Sequence, residues 1–172
     1  AVVAGNTKTS SRITDVVMAA FRRATDVPAM GQGTMNNTTF GTEEWTYYET
    51  IGGGQGASPV ADGPSGVHVA MSNALSTPAE ALELAYPLRV ERHVLRTGSG
   101  GAGTHRGGDG VIREIRVLDA CRLSVLGDRR RHAPKGARGG EDGARGRTLV
   151  NGKEIPGKDT RALERGDVVW TS

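Results

Sequence analysis

The chain has 172 residues, of which only 36% are hydrophobic and 26 are glycine, and its formal net charge is +3. The lone Cys121 excludes an internal disulfide framework and a cysteine-based zinc site, and no apolar run approaches the roughly 18 residues that a membrane span needs. The glycines, about twice the usual share, are aperiodic and lie between apolar segments, which excludes a collagen-like chain and implies many turns, short strands and long loops. The opening Ala1-Val2-Val3-Ala4 has neither the basic start nor the apolar length of a signal peptide. It reads as a piece cut from something longer, with a cytoplasmic location expected.

In chain order, Thr9 or Ser10 can cap a helix reaching about Ala24. In it Ile13, Val16, Val17, Ala20 and Phe21 recur at helical spacing as a packing face, and Arg22-Arg23 suit the last turn. Residues 34–40 and 44–51 read as strands joined at Gly41-Thr42, followed by the glycine- and proline-broken loop 52–66. A short strand is expected over 67–71. Thr77-Pro78-Ala79-Glu80 reads as a capping-box helix start, with Tyr86-Pro87 as its stop. From Leu88 the period becomes that of a strand: Leu88, Val90 and Val94 alternate with Arg89, Glu91 and His93, and residues 111–117 and 122–126 continue it. Asn151-Gly152 between 148–150 and 153–155 predicts a hairpin, and 168–170 a closing strand. Cys121, beside Leu123 and Val125, is expected as a buried strand thiol. The fold class is α+β: β-rich, with two helices in the first half and a mostly antiparallel C-terminal half. Residues 1–87 form an α+β segment with the glycine-rich loops, and residues 88–172 a β-rich one.

Charge is unevenly placed. Residues 1–87 carry 4 basic and 8 acidic groups, residues 88–147 carry 14 and 7, and residues 148–172 carry 4 and 4. The +7 middle segment could draw nucleic acid or an acidic partner. It has no Trp, Tyr or Phe to stack on bases and no helical period, so nucleic acid is not expected.

Candidate chemistry concentrates between Gly31 and Ala57. The Gly52-Gly53-Gly54 run follows a strand as a phosphate loop would, yet it lacks the Gly-Lys-Ser/Thr ending of a nucleotide loop. Bare backbone of this kind can converge its N–H groups on one oxygen, or it can be a plain surface turn. Asn36 and Asn37 can donate and accept at once, and strand geometry sends only one of them to any shared pocket. Glu49, on the strand feeding the glycine run, is the best-placed general acid or base, with a structural ion pair as the competing account. Tyr48 would face the other way. His68, His93, His105 and His132 share no metal-ligand spacing, so no metal site is expected within the chain. Arg129-Arg130-Arg131 reads as a subunit-contact or anion-facing cluster, or as a solvated turn. There is no Gly-x-Ser-x-Gly elbow for a nucleophilic serine.

Taken in order, several strings closely resemble the C-terminal part of the hydantoinase B / oxoprolinase family. They include residues 5–17 (Gly5-Asn6-Thr7-Lys8 through Val17), Gln32-Gly33-Thr34-Met35-Asn36-Asn37, Tyr47-Tyr48-Glu49-Thr50-Ile51-Gly52-Gly53-Gly54 and Thr77-Pro78-Ala79-Glu80. Gly98-Ser99-Gly100-Gly101-Ala102-Gly103, Arg106-Gly107-Gly108-Asp109-Gly110 and Asp128-Arg129-Arg130-Arg131 continue the match. The resemblance implies one half of an ATP-dependent enzyme that opens a small cyclic amide such as 5-oxoproline or N-methylhydantoin. Acetone and acetophenone carboxylases are relatives, and a separate A-type subunit or domain handles ATP. In some members a divalent metal is held by residues nearer the family's N-terminus, beyond this sequence. No cofactor is therefore expected on this stretch, and little activity in isolation. Within that frame Gly52, Gly53 and Gly54 would stabilise an oxyanion, Asn36 or Asn37 hold the substrate amide, Glu49 handle a proton, and His68 face the substrate. The sequence departs from the family at His68-Val69-Ala70-Met71-Ser72-Asn73, where the family commonly has His-Thr-His-Met-Thr-Asn; Ala70 removes an imidazole. The other class of reading is a non-catalytic module that holds the ATP-binding partner.

Overall fold

The structure, a computed structural model, describes residues 7–21 and 26–172, without the side chains of Thr7 and Lys8. Its elements in order are α1 (Thr7–Phe21), β1 (Asn37–Gly41), β2 (Thr46–Thr50), α2 (Ala79–Ala85), β3 (Leu88–Arg96), β4 (Gly110–Val117), β5 (Cys121–Leu126), β6 (Thr148–Val150), β7 (Lys153–Glu154), β8 (Lys158–Leu163) and β9 (Val168–Thr171). The strands form two antiparallel sheets, β2-β1-β5-β8 and β3-β4-β9-β6-β7. The α+β, β-rich class is as the sequence predicts. Because β1 pairs with β5, the segments 1–87 and 88–172 join edge to edge in one sheet.

Both sheets send alternate residues into one apolar cluster. Phe40, Leu123, Val125 and Leu163 come from the first, Leu88, Ile115, Val117, Val150 and Val169 from the second, and Leu82 from α2. Cys121 is buried in it, and burial holds its thiol above the ordinary range. Tyr86, at the end of α2, stacks at a tilt between Trp45 and Tyr47, with ring centroids 5.5 and 5.3 Å away. The Asn151-Gly152 turn has both residues at positive φ (50° and 77°), as a two-residue hairpin loop requires.

Three expectations are corrected, and one strand, the third finding below, was not expected at all. First, residues 67–71 make only an isolated bridge, Gly53 to Val67. Second, α2 starts after Pro78 with no side-chain cap bond, and the Thr77 carbonyl instead accepts from Arg113. Third, the edge strand β8 carries polar or small residues at every position before Leu163, so the sequence offers no alternation to betray it; its pairing with β5 is what makes it a strand. Fourth, α1 is turned over. Thr9 and Ser10 lie inside it, and Arg22-Arg23 fall outside the described residues. Its expected packing face is exposed, with Ile13 at 59%, Val16 at 66% and Phe21 at 54%, while Ser11 is buried. The polar side wins because Arg12 donates to the carbonyls of Gln32 and Gly33 and pairs with Asp15 at 2.7 Å, which also pairs with Arg129 at 2.6 Å.

Candidate functional site

A cavity of about 390 Å³ opens where three glycine-rich stretches meet: residues 52–59, the connection from β3 to β4, and the long connection from β5 to β6. Its walls are largely backbone. Gln32 donates to the Gly54 carbonyl (2.9 Å), Gly108 to Gln55 (2.8 Å), Gly63 to Arg106 (2.8 Å) and Ala29 to Ala57 (2.8 Å). Such contact between main chains is possible only without side chains: a Cβ on Gly54 would lie inside the Gly108 carbonyl. This stacking accounts for the composition, since a wall made of peptide groups needs few apolar side chains.

Asp109 locks the second stretch. Its Oδ1 accepts from the Gly100 N–H (2.8 Å) and from Arg106 (3.0 Å), and its own N–H donates to Ser65 Oγ (2.8 Å). Burial alone would raise its pKa, but the backbone donors of Gly100, Gly98 and Ser99 together with Arg106 hold the carboxyl below its ordinary range.

Of the residues singled out in the sequence, Asn36, Gly52, Gly53, Gly54, Arg129 and Arg130 line the cavity. Gly53 commits its N–H to the Val67 carbonyl at 2.9 Å. Asn36 sits at φ 48° and is buried, and its Oδ1 accepts from Arg130 at 2.7 Å. Arg130 also donates to Thr148 Oγ1 (2.9 Å) and the Asp128 carbonyl (2.9 Å), and its Nε has no partner. Arg129 donates to the carbonyls of Gly31 and Gln32 and pairs with Asp15. Burial lowers both guanidinium pKa values to about 10.

The other candidates lie elsewhere. Asn37 is on the opposite face of β1, where Thr50 Oγ1 donates to it at 3.4 Å, and Arg131 is exposed. Glu49 is not on the cavity wall. The alternation of β2 sends Tyr48 outward, 50% exposed, and turns Glu49 in between the sheets. There its Oε2 accepts from Arg113 Nε at 3.1 Å, with the two side chains 4% and 2% exposed. Arg113 NH1 meets His93 Nδ1 at 3.2 Å. His68 lies behind Gly52, with both ring nitrogens buried and unpartnered. Burial lowers its pKa, against an opposing pull from Glu49. The geometry thus favours the ion-pair account of Glu49.

Among the described residues no three His, Cys, Asp or Glu come together to hold a metal. No described helix is long and apolar enough to cross a membrane.

Sequence reasoning missed Arg96 and Asp109 as parts of this site. Arg96 lines the cavity from the end of β3, donating to the Arg145 carbonyl (2.8 Å) and Ser172 Oγ (3.1 Å). The only signal was positional: Arg96 stands two residues before the Gly98–Gly103 string, and Asp109 lies within the Arg106–Gly110 string.

Fold and site together define a two-sheet α+β module with a cavity walled by glycine backbone and backed by arginines. The chain belongs to the hydantoinase B/oxoprolinase family, which matches residues 1–172. It is 45% identical to 5-oxoprolinase 1 of Arabidopsis thaliana over 98% of this chain, spanning 13% of that protein. An ATP-dependent caprolactamase from Pseudomonas jessenii superposes with a TM-score of 0.75 at 25% identity, covering 91% of this chain and 31% of that one. A nucleotide-free acetone carboxylase shares the fold at 18% identity, with a TM-score of 0.58, covering 84% of this chain and 25% of the other.

Proposed function

We propose that this chain is part of the B-type half of an ATP-dependent hydrolase that opens a small cyclic amide, of the 5-oxoproline or hydantoin kind, after an A-type half has used ATP to activate the substrate. The observation that carries this is the 45% identity to a 5-oxoprolinase along nearly the whole chain, together with a cavity on which Asn36, Gly52 and Gly54 converge. Hydrolysis is favoured over carboxylation because the carboxylase likeness reaches only the fold.

Attack on an activated amide carbonyl places negative charge on oxygen, and fixed backbone donors stabilise such charge with little reorganisation. The N–H groups of Gly52 and Gly54 take that role, that of Gly53 being held by Val67. Asn36, its Oδ1 fixed by Arg130, donates its amide hydrogens to the substrate's ring amide. Glu49 is a positioning residue: its ion pair with Arg113 anchors the end of β2, from which the glycine run issues.

The test is ATP-dependent ring opening by the full B-type polypeptide reconstituted with its A-type half. Wild type turns over, and Asn36→Ala loses about 10²-fold or more, as for removal of an oxyanion-site donor. Absence of ring opening by a folded, partner-bound wild type overturns the reading.

A second reading, contact with the A-type half without chemistry, is favoured by the exposed apolar face of α1. Val16→Asp would then abolish co-purification of the two halves, and unchanged co-purification removes it.

A further inference from the structure

Ring opening by water needs a group that takes a proton from the attacking oxygen, and Glu49 is not on the cavity wall. Among the described residues that line it, the side chains able to accept a proton at neutral pH are His105 and Glu141, since Lys135 is held as a cation by Asp142 at 2.5 Å. Glu141 is exposed, whereas the His105 side chain is only 33% so. Residues 98–108 carry just two long side chains, His105 and Arg106. Arg106 turns to Asp109 at 3.0 Å and is absent from the wall, so the imidazole is what this stretch presents to the cavity.

The ring is oriented from outside the cavity. Its Nδ1 lies 3.5 Å from Asp62 Oδ1, and Asp62 is not a wall residue. That carboxylate oxygen accepts from the Arg106 N–H at 2.8 Å, while the Gly63 N–H donates to the Arg106 carbonyl at 2.8 Å. Two bonds thus clamp Asp62-Gly63 to the residue after His105. A carboxylate facing Nδ1 favours the proton on that nitrogen and leaves Nε2 with its lone pair, and among the described residues nothing bonds to Nε2. The same stretch rests on the glycine run: the Gly108 N–H donates to the Gln55 carbonyl at 2.8 Å, and Gly54 packs on the Gly108 carbonyl. The imidazole and the N–H groups assigned to the oxyanion therefore stand on two stretches in direct contact.

We propose that His105, oriented by Asp62, is the general base of ring opening. This rests on the cyclic-amide reading above. The water oxygen bonds to the activated carbonyl carbon as one of its protons passes to Nε2. The carbonyl then re-forms, the carbon–nitrogen bond breaks with its electron pair on nitrogen, and the imidazolium returns the proton to that nitrogen. Asp62 touches no reacting atom; it is a positioning residue that holds the ring and stabilises the imidazolium.

The full B-type polypeptide with its ATP-binding half is assayed on 5-oxoproline, and binding of the ring is measured in parallel by calorimetry. His105→Gln lowers kcat about 10²–10⁴-fold, the contribution of a general base, while KM and calorimetric binding stay near wild type, as for a group that acts only in the transition state. The acid limb of the pH profile, where a protonated imidazole cannot accept, disappears in this variant. The charged groups against which that limb is read are Asp62, Arg106 and, on the same wall, Lys135, Arg138 and Glu141. Asp62→Asn loses about tenfold and keeps the limb. Imidazole in the buffer restores part of the turnover of His105→Ala, which a merely structural role does not allow. Turnover by His105→Gln near wild type, or an acid limb that survives in it, overturns the proposal and leaves the cyclic-amide reading intact. Loss of binding together with turnover, without rescue by imidazole, makes His105 a structural residue and overturns it too. A folded, partner-bound wild type that opens no ring removes both readings at once.

Discussion

Neutralising Glu49 separates its two candidate roles. Glu49→Gln keeps the shape of the side chain and removes its charge, leaving Arg113 with two neutral contacts, His93 Nδ1 and the Thr77 carbonyl, each at 3.2 Å. Both members of the pair are almost fully buried, and removing one partner of such a pair costs about 3–5 kcal/mol. An isosteric amide belongs at the low end, about 3 kcal/mol, a large part of the 5–15 kcal/mol typical of a folded domain. For a chain of this length that corresponds to a fall in Tm of roughly 6–12 °C. Replacing both partners with apolar residues, Glu49→Leu with Arg113→Met, leaves no orphan charge and costs about 1 kcal/mol or less. The cycle therefore yields a coupling of about 2 kcal/mol or more. Urea unfolding of wild type, the single variants and the double variant reads these values. Ring opening by Glu49→Gln at a temperature where it is folded stays within about tenfold of wild type, because Glu49 touches no cavity wall. An unchanged Tm with turnover reduced by about 10²–10⁴, the contribution of a general acid or base, would refute this reasoning and make Glu49 the proton-transfer group.

Gly54→Ala drives a methyl into the Gly108 carbonyl and is expected to cost about 2–3 kcal/mol and most of the turnover. Gly98→Ala, at φ 83° with open space around it, carries only the backbone penalty of about 1 kcal/mol and leaves turnover near wild type; thermal melts and turnover assays compare the two. Asp15→Asn leaves Arg129 without its carboxylate and is expected to lower stability by about 2–4 kcal/mol in urea unfolding, loosening α1 from the cavity wall. His68 is kept neutral by burial, so its folded pKa lies below the ordinary 6.5. The unfolded chain then binds the extra proton first, and this contribution to stability is complete above about pH 6.5 and lost as pH falls toward the folded pKa. His68→Gln should flatten the decline in Tm between pH 7 and 5, and an unchanged slope would show that His68 titrates normally.

The strands were legible where a sheet face is half-buried. Val111, Ile115 and Val117 mark the inner side of β4 by plain alternation, and the Asn-Gly turn fixes the β6–β7 register. Legibility failed where polar groups decide. β8 has solvent on most of its side chains, so its backbone partner, not its pattern, makes it a strand. In α1 the apolar stripe read as a buried face, yet three long-range polar partners, Gln32, Gly33 and Arg129, claim the other side. The same holds for the site. The glycine run at 52–54 was visible as site material, but a lone string cannot announce which other strings stack on it. Strand alternation admitted only one of Asn36 and Asn37 to a shared pocket without saying which, and it is Asn36, left-handed at φ 48° just ahead of β1, that lines the cavity. Glu49 needed Arg113, 64 residues away, to show that its inward face is a sheet interface and not a cleft.

A wall of stacked peptide groups has a consequence for its electrostatics. The scarcity of long side chains in residues 52–56 and 99–108 lets the main chains touch, but it also leaves His105 as the one ionisable side chain those stretches place on the cavity wall. A site of this kind can fix an oxygen through N–H groups and still have no field to attract an anionic ligand, because peptide dipoles committed to one another largely cancel. Charge must then enter from the opposite side, on long side chains anchored from behind. Arg129, Arg130 and Arg96 have that geometry, but their anchors differ. Asp15 cancels most of what Arg129 could offer, so Arg129 secures α1. The hydrogen bonds of Arg130 and Arg96 go to neutral oxygens, and Asp128 and Glu154 act on Arg130 through their charge alone. A carboxylate anchor spends a guanidinium's charge on the fold, whereas a carbonyl anchor spends only its hydrogen bonds.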